Sequence, residues 1–266
     1  MWLLTALLLI LSGREPAPLA LALNLPAYRL DAYEHGRLVR RYAVAIGAPT
    51  HPTPVGGFTI SRVELNPTWT PPASAWARGR APAAPGPQNP MGRAKLLFLP
   101  LYFLHGSPDS VSIGSAASHG CVRLANTDVL DLAGRALAAG RPELSEPERR
   151  RALADPVRTR LFPLTRPIGI AVRYELLEIV DDTVRAWPDP YHRRTAATDS
   201  AAQRLLELAV APHPVPGGLG RRMLDAARRR PAALPLASLR APRPPAPIPG
   251  PPVAAAPAPV PPCPAT

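Results

Sequence analysis

The segment Ser118-His119-Gly120-Cys121-Val122-Arg123-Leu124 gathers more reactive chemistry than any other stretch of the chain. A cysteine attacks as its thiolate, so it needs a base or a positive field beside it. His105, followed by Gly106, lies 16 residues upstream of Cys121. Two adjacent strands would carry that pair into hydrogen-bond reach. Gly120 leaves the backbone next to the thiol uncrowded, so neighbouring N–H groups could face a tetrahedral oxyanion. Arg123 supplies a fork of donors suited to a substrate carboxylate. The chemistry these residues could perform is acyl transfer through a thioester. Each also has a plain structural reading: Cys121 as a buried apolar residue, His105 bonded to backbone at a strand end, His119 in a turn, Arg123 as surface charge. Spacing alone leaves both readings open.

The elements that must position these residues follow from the apolar pattern. Leu19 to Leu25 reads as a first strand. Arg29 to Tyr33 and Leu38 to Ala45 flank a turn in which Gly36 takes positive φ. Phe58 to Leu65 and Leu96 to Leu104 read as further strands, the latter delivering His105. Between them, Asn66 to Pro90 is a long Pro-rich loop holding Trp69 and Trp76, of the kind that serves as a lid or binding loop. Val129, Leu130, Ala133 and Leu137 fall at helical spacing, with Asn126 as N-cap and Gly140 as stop. Ile168 to Tyr174, Leu176 to Val180 and Val184 to Trp187 are closing strands, with Asp181-Asp182 as a turn, and Ala197 to Ala209 is one more helix. Strands arranged as hairpins point to a mainly β, mainly antiparallel domain.

Composition sets the limits of that domain. The 266 residues contain 39 prolines, concentrated toward the C-terminus, so the chain cannot be globular throughout. The division expected is a signal peptide or N-terminal anchor over 1–18, a catalytic domain over 19–191 with a helical insertion at 141–165, a helical extension over 192–211, and a disordered, low-complexity Pro/Ala/Arg-rich tail over 212–266. The apolar run Leu3 to Leu11 suits a signal-peptide core better than a membrane span, which implies export to the periplasm or cell wall. The net charge of +12 favours an anionic partner. The basic stretch Arg221 to Arg230 lacks interleaved aromatics, so no nucleic acid is expected. Cys121 and Cys263 do not look like a structural disulfide, and no metal-ligand pairs are spaced for zinc.

The run His105-Gly106 followed by Ser118-His119-Gly120-Cys121-Val122-Arg123-Leu124 closely resembles the signature of the L,D-transpeptidase (YkuD-type) family. Thr53-Pro54-Val55-Gly56-Gly57-Phe58 resembles that family's turn and strand before the catalytic pair. Asn66-Pro67-Thr68-Trp69 and Pro87-Gln88-Asn89-Pro90-Met91-Gly92 resemble its substrate-side loop. The resemblance covers roughly Leu19 to Tyr191 and implies a β-sandwich with one or two short helices. It implies Cys121 as nucleophile and His105 as proton donor and acceptor, with His119 and the Gly120/Cys121 backbone at the oxyanion site. Arg123, Ser118, Gly106, Trp69 and Asn89 would bind substrate. No metal or organic cofactor is implied. The partners implied are peptidoglycan stem peptides, as acyl donor and as amine acceptor.

Two other functions share these residues. An L,D-carboxypeptidase would form the same acyl-enzyme and resolve it with water. A cell-wall-binding protein retaining the fold would not need both Cys121 and His105, which are present.

Overall fold

Alternating burial of Leu19, Leu21 and Leu23 gives the first strand one core-facing side. In the computed structural model, which describes residues 16–240, that strand is β1 (Ala20–Asn24). The N-terminal apolar run, almost all of the expected leader, Cys263 and the chain beyond residue 240 lie outside the described residues. Strands β2 (Arg29–Glu34) and β3 (Arg37–Ala43) form the expected hairpin, its turn made by His35 and Gly36 at φ of 48° and 78°. Then come β4 (Ile46–Gly47), β5 (Gly56–Leu65), β6 (Ala94–Leu99), β7 (Tyr102–Ser107), β8 (Ala116–Ser118) and β9 (Val122–Ala125). The single strand expected over Leu96 to Leu104 is in fact a hairpin of β6 and β7. Pro100 has no N–H for a ladder, and Leu101 takes φ of 68°, so the chain reverses there.

Helix α1 (Asn126–Gly140) and helix α2 (Glu146–Ala154) lead to the long strand β10 (Arg160–Arg173). Eight strands form one sheet in the order β3-β2-β1-β10-β5-β6-β7-β9. Five of its seven pairings are antiparallel, and β1/β10 and β7/β9 are parallel. The sheet curls until its two edges meet, where Ala45, just past β3, exchanges both backbone hydrogen bonds with Arg123 of β9 at 2.9 Å each. The two arms of this sheet enclose α1, whose Val129, Leu132, Ala133, Ala136 and Leu137 are fully buried. The fold is mainly β. The expected N-cap differs: Ala125 caps α1, and the Asn126 carboxamide instead accepts the Arg93 amide at 2.9 Å. The charged 141–165 segment divides into α2, started by a Ser145/Glu148 capping box, and the first residues of strand β10.

Strands β11 (Leu177–Val180) and β12 (Thr183–Ala186) turn through Asp181 and Asp182, and helix α3 (Ala196–Val210) follows. The low-complexity tail expected from Pro212 does not begin there. Helix α4 (Leu219–Ala226), strand β13 (Ala232–Pro235) and helix α5 (Ala237–Arg240) are folded. Strand β13 completes a three-stranded sheet with β11 and β12. Leu176, Leu177 and Val184 pack with Leu206, Met223, Leu224 and Leu236 into a second core. The apolar spacing of Met223, Leu224 and Ala227 gives α4 a buried stripe that the Pro- and Arg-rich composition conceals. Arg29 ties this module to the main sheet through a bidentate pair with Glu178, at 2.7 and 3.0 Å.

Candidate active site

Strands β7 and β9 run parallel and in register, Leu104 opposite Val122 and His105 opposite Arg123. Side chains alternate across a strand. Leu104, Gly106, Val122 and Leu124 therefore face α1 and the core, while His105, Arg123 and Cys121, one residue before β9, share the opposite face. The thiol and the imidazole are diagonal neighbours on that face.

His105 is 3% exposed, and its Nδ1 lies 2.7 Å from the Gly106 carbonyl. A carbonyl only accepts, so Nδ1 carries the proton of the neutral ring and Nε2 keeps its lone pair. The in-register neighbours are cationic on both sides, Lys95 on β6 and Arg123 on β9. Burial, with those two cations as lesser contributors, lowers the His105 pKa to about 4. Burial likewise pushes the Cys121 thiol up, against a backbone hydrogen bond from Phe103 and the Arg123 charge. Burial thus disfavours the charged form of each, thiolate and imidazolium alike. The Cys121 Sγ–H points to the Leu101 carbonyl at 3.5 Å.

The turn carrying the thiol is held from within and from outside. Ser118 Oγ accepts the Gly120 amide at 3.1 Å and donates to the Cys121 carbonyl. Thr53 Oγ1 donates to the Gly120 carbonyl at 3.0 Å. Gly120 stands at φ of 104°, and a Cβ there would meet the Tyr102 ring at 2.7 Å, so only glycine fits.

Four expected roles change once the side chains are in place. The Gly120 amide, taken by Ser118, is not free for an oxyanion. Gly106 lies on the face away from the thiol, where a Cβ would strike Asn126 Oδ1 at 2.3 Å; its part in the site is the carbonyl that seats His105. Asn89 is 1% exposed and spends its carboxamide on the Pro67, Ala83 and Ala84 carbonyls and the Met91 amide, which shapes the loop rather than meeting a ligand. Trp69 is 7% exposed and pairs its backbone with Ala83 inside the same loop.

Another residue of that loop reaches the site. Trp76, in a short turn over Ala75–Ala77, stacks on the exposed His119 ring at 4.0 Å and 14°, and His51 meets His119 edge-on at 5.0 Å. In the sequence Trp76 stands out only as part of a Pro-rich loop, and its partner lies too far along the chain for spacing to pair them. Arg123 is half-buried, 3.4 Å from Ser112 Oγ and 3.6 Å from the exposed Asp109 carboxylate. Its fork can exchange that surface pair for another carboxylate.

The family model YkuD, L,D-transpeptidase catalytic domain, matches residues 19–158. The protein named "Probable L,D-transpeptidase YbiS" of Escherichia coli (strain K12) is 33% identical over 175 residues, covering 62% of this chain and 56% of that one. "Probable L,D-transpeptidase YcfS" of the same organism is 34% identical over 125 residues, covering 42% of this chain and 39% of its own. This chain thus spans little more than half the length of YbiS. The structure "L,D-transpeptidase from Mycobacterium smegmatis" aligns with a TM-score of 0.38 at 16% identity, over 59% of each chain. With its strand-borne His105 and the Ser118 to Leu124 run inside a match that covers more than half its length, the chain belongs to the L,D-transpeptidase family.

Proposed function

We propose that this chain is an exported enzyme that transfers peptidoglycan stem peptides through a Cys121 thioester. The observation that carries the reading is the His105 ring, fixed by Gly106 so that Nε2 keeps its lone pair, on the face it shares with the thiol. As the Cys121 sulfur attacks the carbonyl at the L-centre of a donor tetrapeptide, its proton passes to His105 Nε2. The tetrahedral oxyanion is met by the Cys121 amide, beside the exposed His119 ring. Collapse breaks the peptide bond, and His105 returns the proton to the departing D-alanine amine. A side-chain amine of a second stem then attacks the thioester and gives up a proton, which restores the thiol. Arg123 meets a stem carboxylate, and Trp76 covers the site from the loop side. A resting thiol–imidazole pair, which the burial of both groups favours, suits this cycle, because the charge is made only when the substrate is in place.

Intact-mass analysis of the protein with a disaccharide-tetrapeptide tests the reading. The expected result is a mass gain equal to the donor minus D-alanine, absent in Cys121→Ser. An adduct that survives Cys121→Ser removes Cys121 from the role.

A further inference from the structure

The family match ends at residue 158, yet a side chain well beyond it reaches the turn that carries the thiol. Tyr191 Oη donates to the Gly47 carbonyl at 2.9 Å and accepts the Thr53 amide at 3.2 Å. Thr53 is 0% exposed, and its hydroxyl accepts the Gly47 amide at 2.9 Å while donating to the Gly120 carbonyl at 3.0 Å. Each hydroxyl has one proton, and each proton has one partner, so the directions of these bonds are fixed. Three backbone segments converge here so closely that a Cβ on Gly47 would meet the His51 carbonyl at 2.1 Å and the Gly120 Cα at 3.0 Å.

Tyr191 is itself held from the C-terminal side. Its ring stacks on Tyr174 at 5.5 Å, its amide donates to Tyr174 Oη at 2.8 Å, and Arg193 lies over both rings. Tyr174 Oη donates in turn to Asp189, whose carboxylate also accepts the Arg193 and Arg194 amides. We infer that Tyr191 is a positioning residue for Cys121: through Thr53 it fixes the Gly120–Cys121 peptide, so the segment leading into the C-terminal module sets the geometry of the nucleophile turn. The inference rests on the reading of Cys121 as nucleophile and adds a residue outside the family match to its support. With Ser118 gripping the Gly120 amide and Thr53 the Gly120 carbonyl, the turn has no slack. Releasing the Thr53 side lets the thiol move toward solvent, where burial no longer suppresses the thiolate.

The test reads Cys121 without any stem peptide, so its outcome is separate from that of the transfer assay. The rate of Cys121 alkylation by iodoacetamide is followed by peptide mass spectrometry, which resolves it from Cys263, in the full chain and its variants. Tyr191→Phe keeps the ring and its stacking but loses the hydroxyl. It should react about five- to tenfold faster at pH 7.5, a change in opening within what the loss of its two hydrogen bonds, to the Gly47 carbonyl and from the Thr53 amide, permits at ~1 kcal/mol each. Thr53→Val should match it, Thr53→Ser should keep the parent rate, and the double variant Tyr191→Phe/Thr53→Val should be no faster than either single one. A Tyr191→Phe rate equal to the parent's, multiplying effects in the double variant, or a Thr53→Ser that behaves like Thr53→Val would each overturn the inference.

Discussion

Burial acts on Cys121 and His105 in the same direction: it disfavours the charged form of each, and the cations flanking His105 disfavour its protonation further. Two expectations follow. Alkylation of free Cys121 should rise only as pH passes the ordinary thiol range of about 9, with no plateau near neutrality. A plateau reaching down to pH 5 would mean a resting thiolate–imidazolium pair. The second concerns stability. His105 binds a proton at about 4 in the folded chain and at 6.5 when unfolded. Between those values the unfolded chain holds the extra proton, so acid favours unfolding. The contribution is complete above pH 6.5 and lost as pH falls toward 4, about 3 kcal/mol in all. Denaturant midpoints should fall over that window, and His105→Gln should flatten the fall. At this scale the sequence was most legible, because the reactive types stand in one run and one upstream pair. It was least legible for Gly106, Trp69 and Asn89, whose residue types suit a ligand as well as they suit the backbone groups they contact.

Hairpins and helices position the site through a few junctions. The strand that delivers His105 is legible as an apolar run, but its break at Pro100 and Leu101 is what reverses the chain and brings the Leu101 carbonyl over the thiol. The 66–90 loop is ordered by Asn89, which bonds three carbonyls and one amide at once. Asn89→Ala leaves those buried groups without partners and should cost about 1–3 kcal/mol. It should also free Trp76 from His119, seen as faster proteolysis within 66–90 while the core keeps its protection. Unchanged cleavage would show that the loop is held by other contacts. The Trp76–His119 stack joins residues whose spacing carries no signal, since it depends on where two loops end in space.

Across the whole molecule, two cores share one chain, the curled sheet around α1 and the smaller module of β11 to β13 with α3 and α4. Composition suggested a tail from Pro212 because prolines and arginines dominate the count, while the few apolar residues that fold the segment are placed by helical period rather than by number. Arg29 and Glu178 link the cores, with Trp187 Nε1 also donating to Glu178 at 2.8 Å. Arg29→Met would leave a carboxylate buried beside Trp187 without its cation, and should lower stability by about 3–5 kcal/mol. A calorimetric trace in which the smaller module melts first would accompany it, and an unchanged midpoint would show that the link carries no stability.

The most direct measurement is product analysis of the purified protein with a disaccharide-tetrapeptide, with and without a D-amino acid. The expected products are crosslinked dimer, or stem peptide whose terminal D-alanine has been exchanged, both lost in Cys121→Ser. Tripeptide alone would contradict transfer and make the enzyme a hydrolase of the same thioester, and no product at all would contradict the stem peptide as acyl donor.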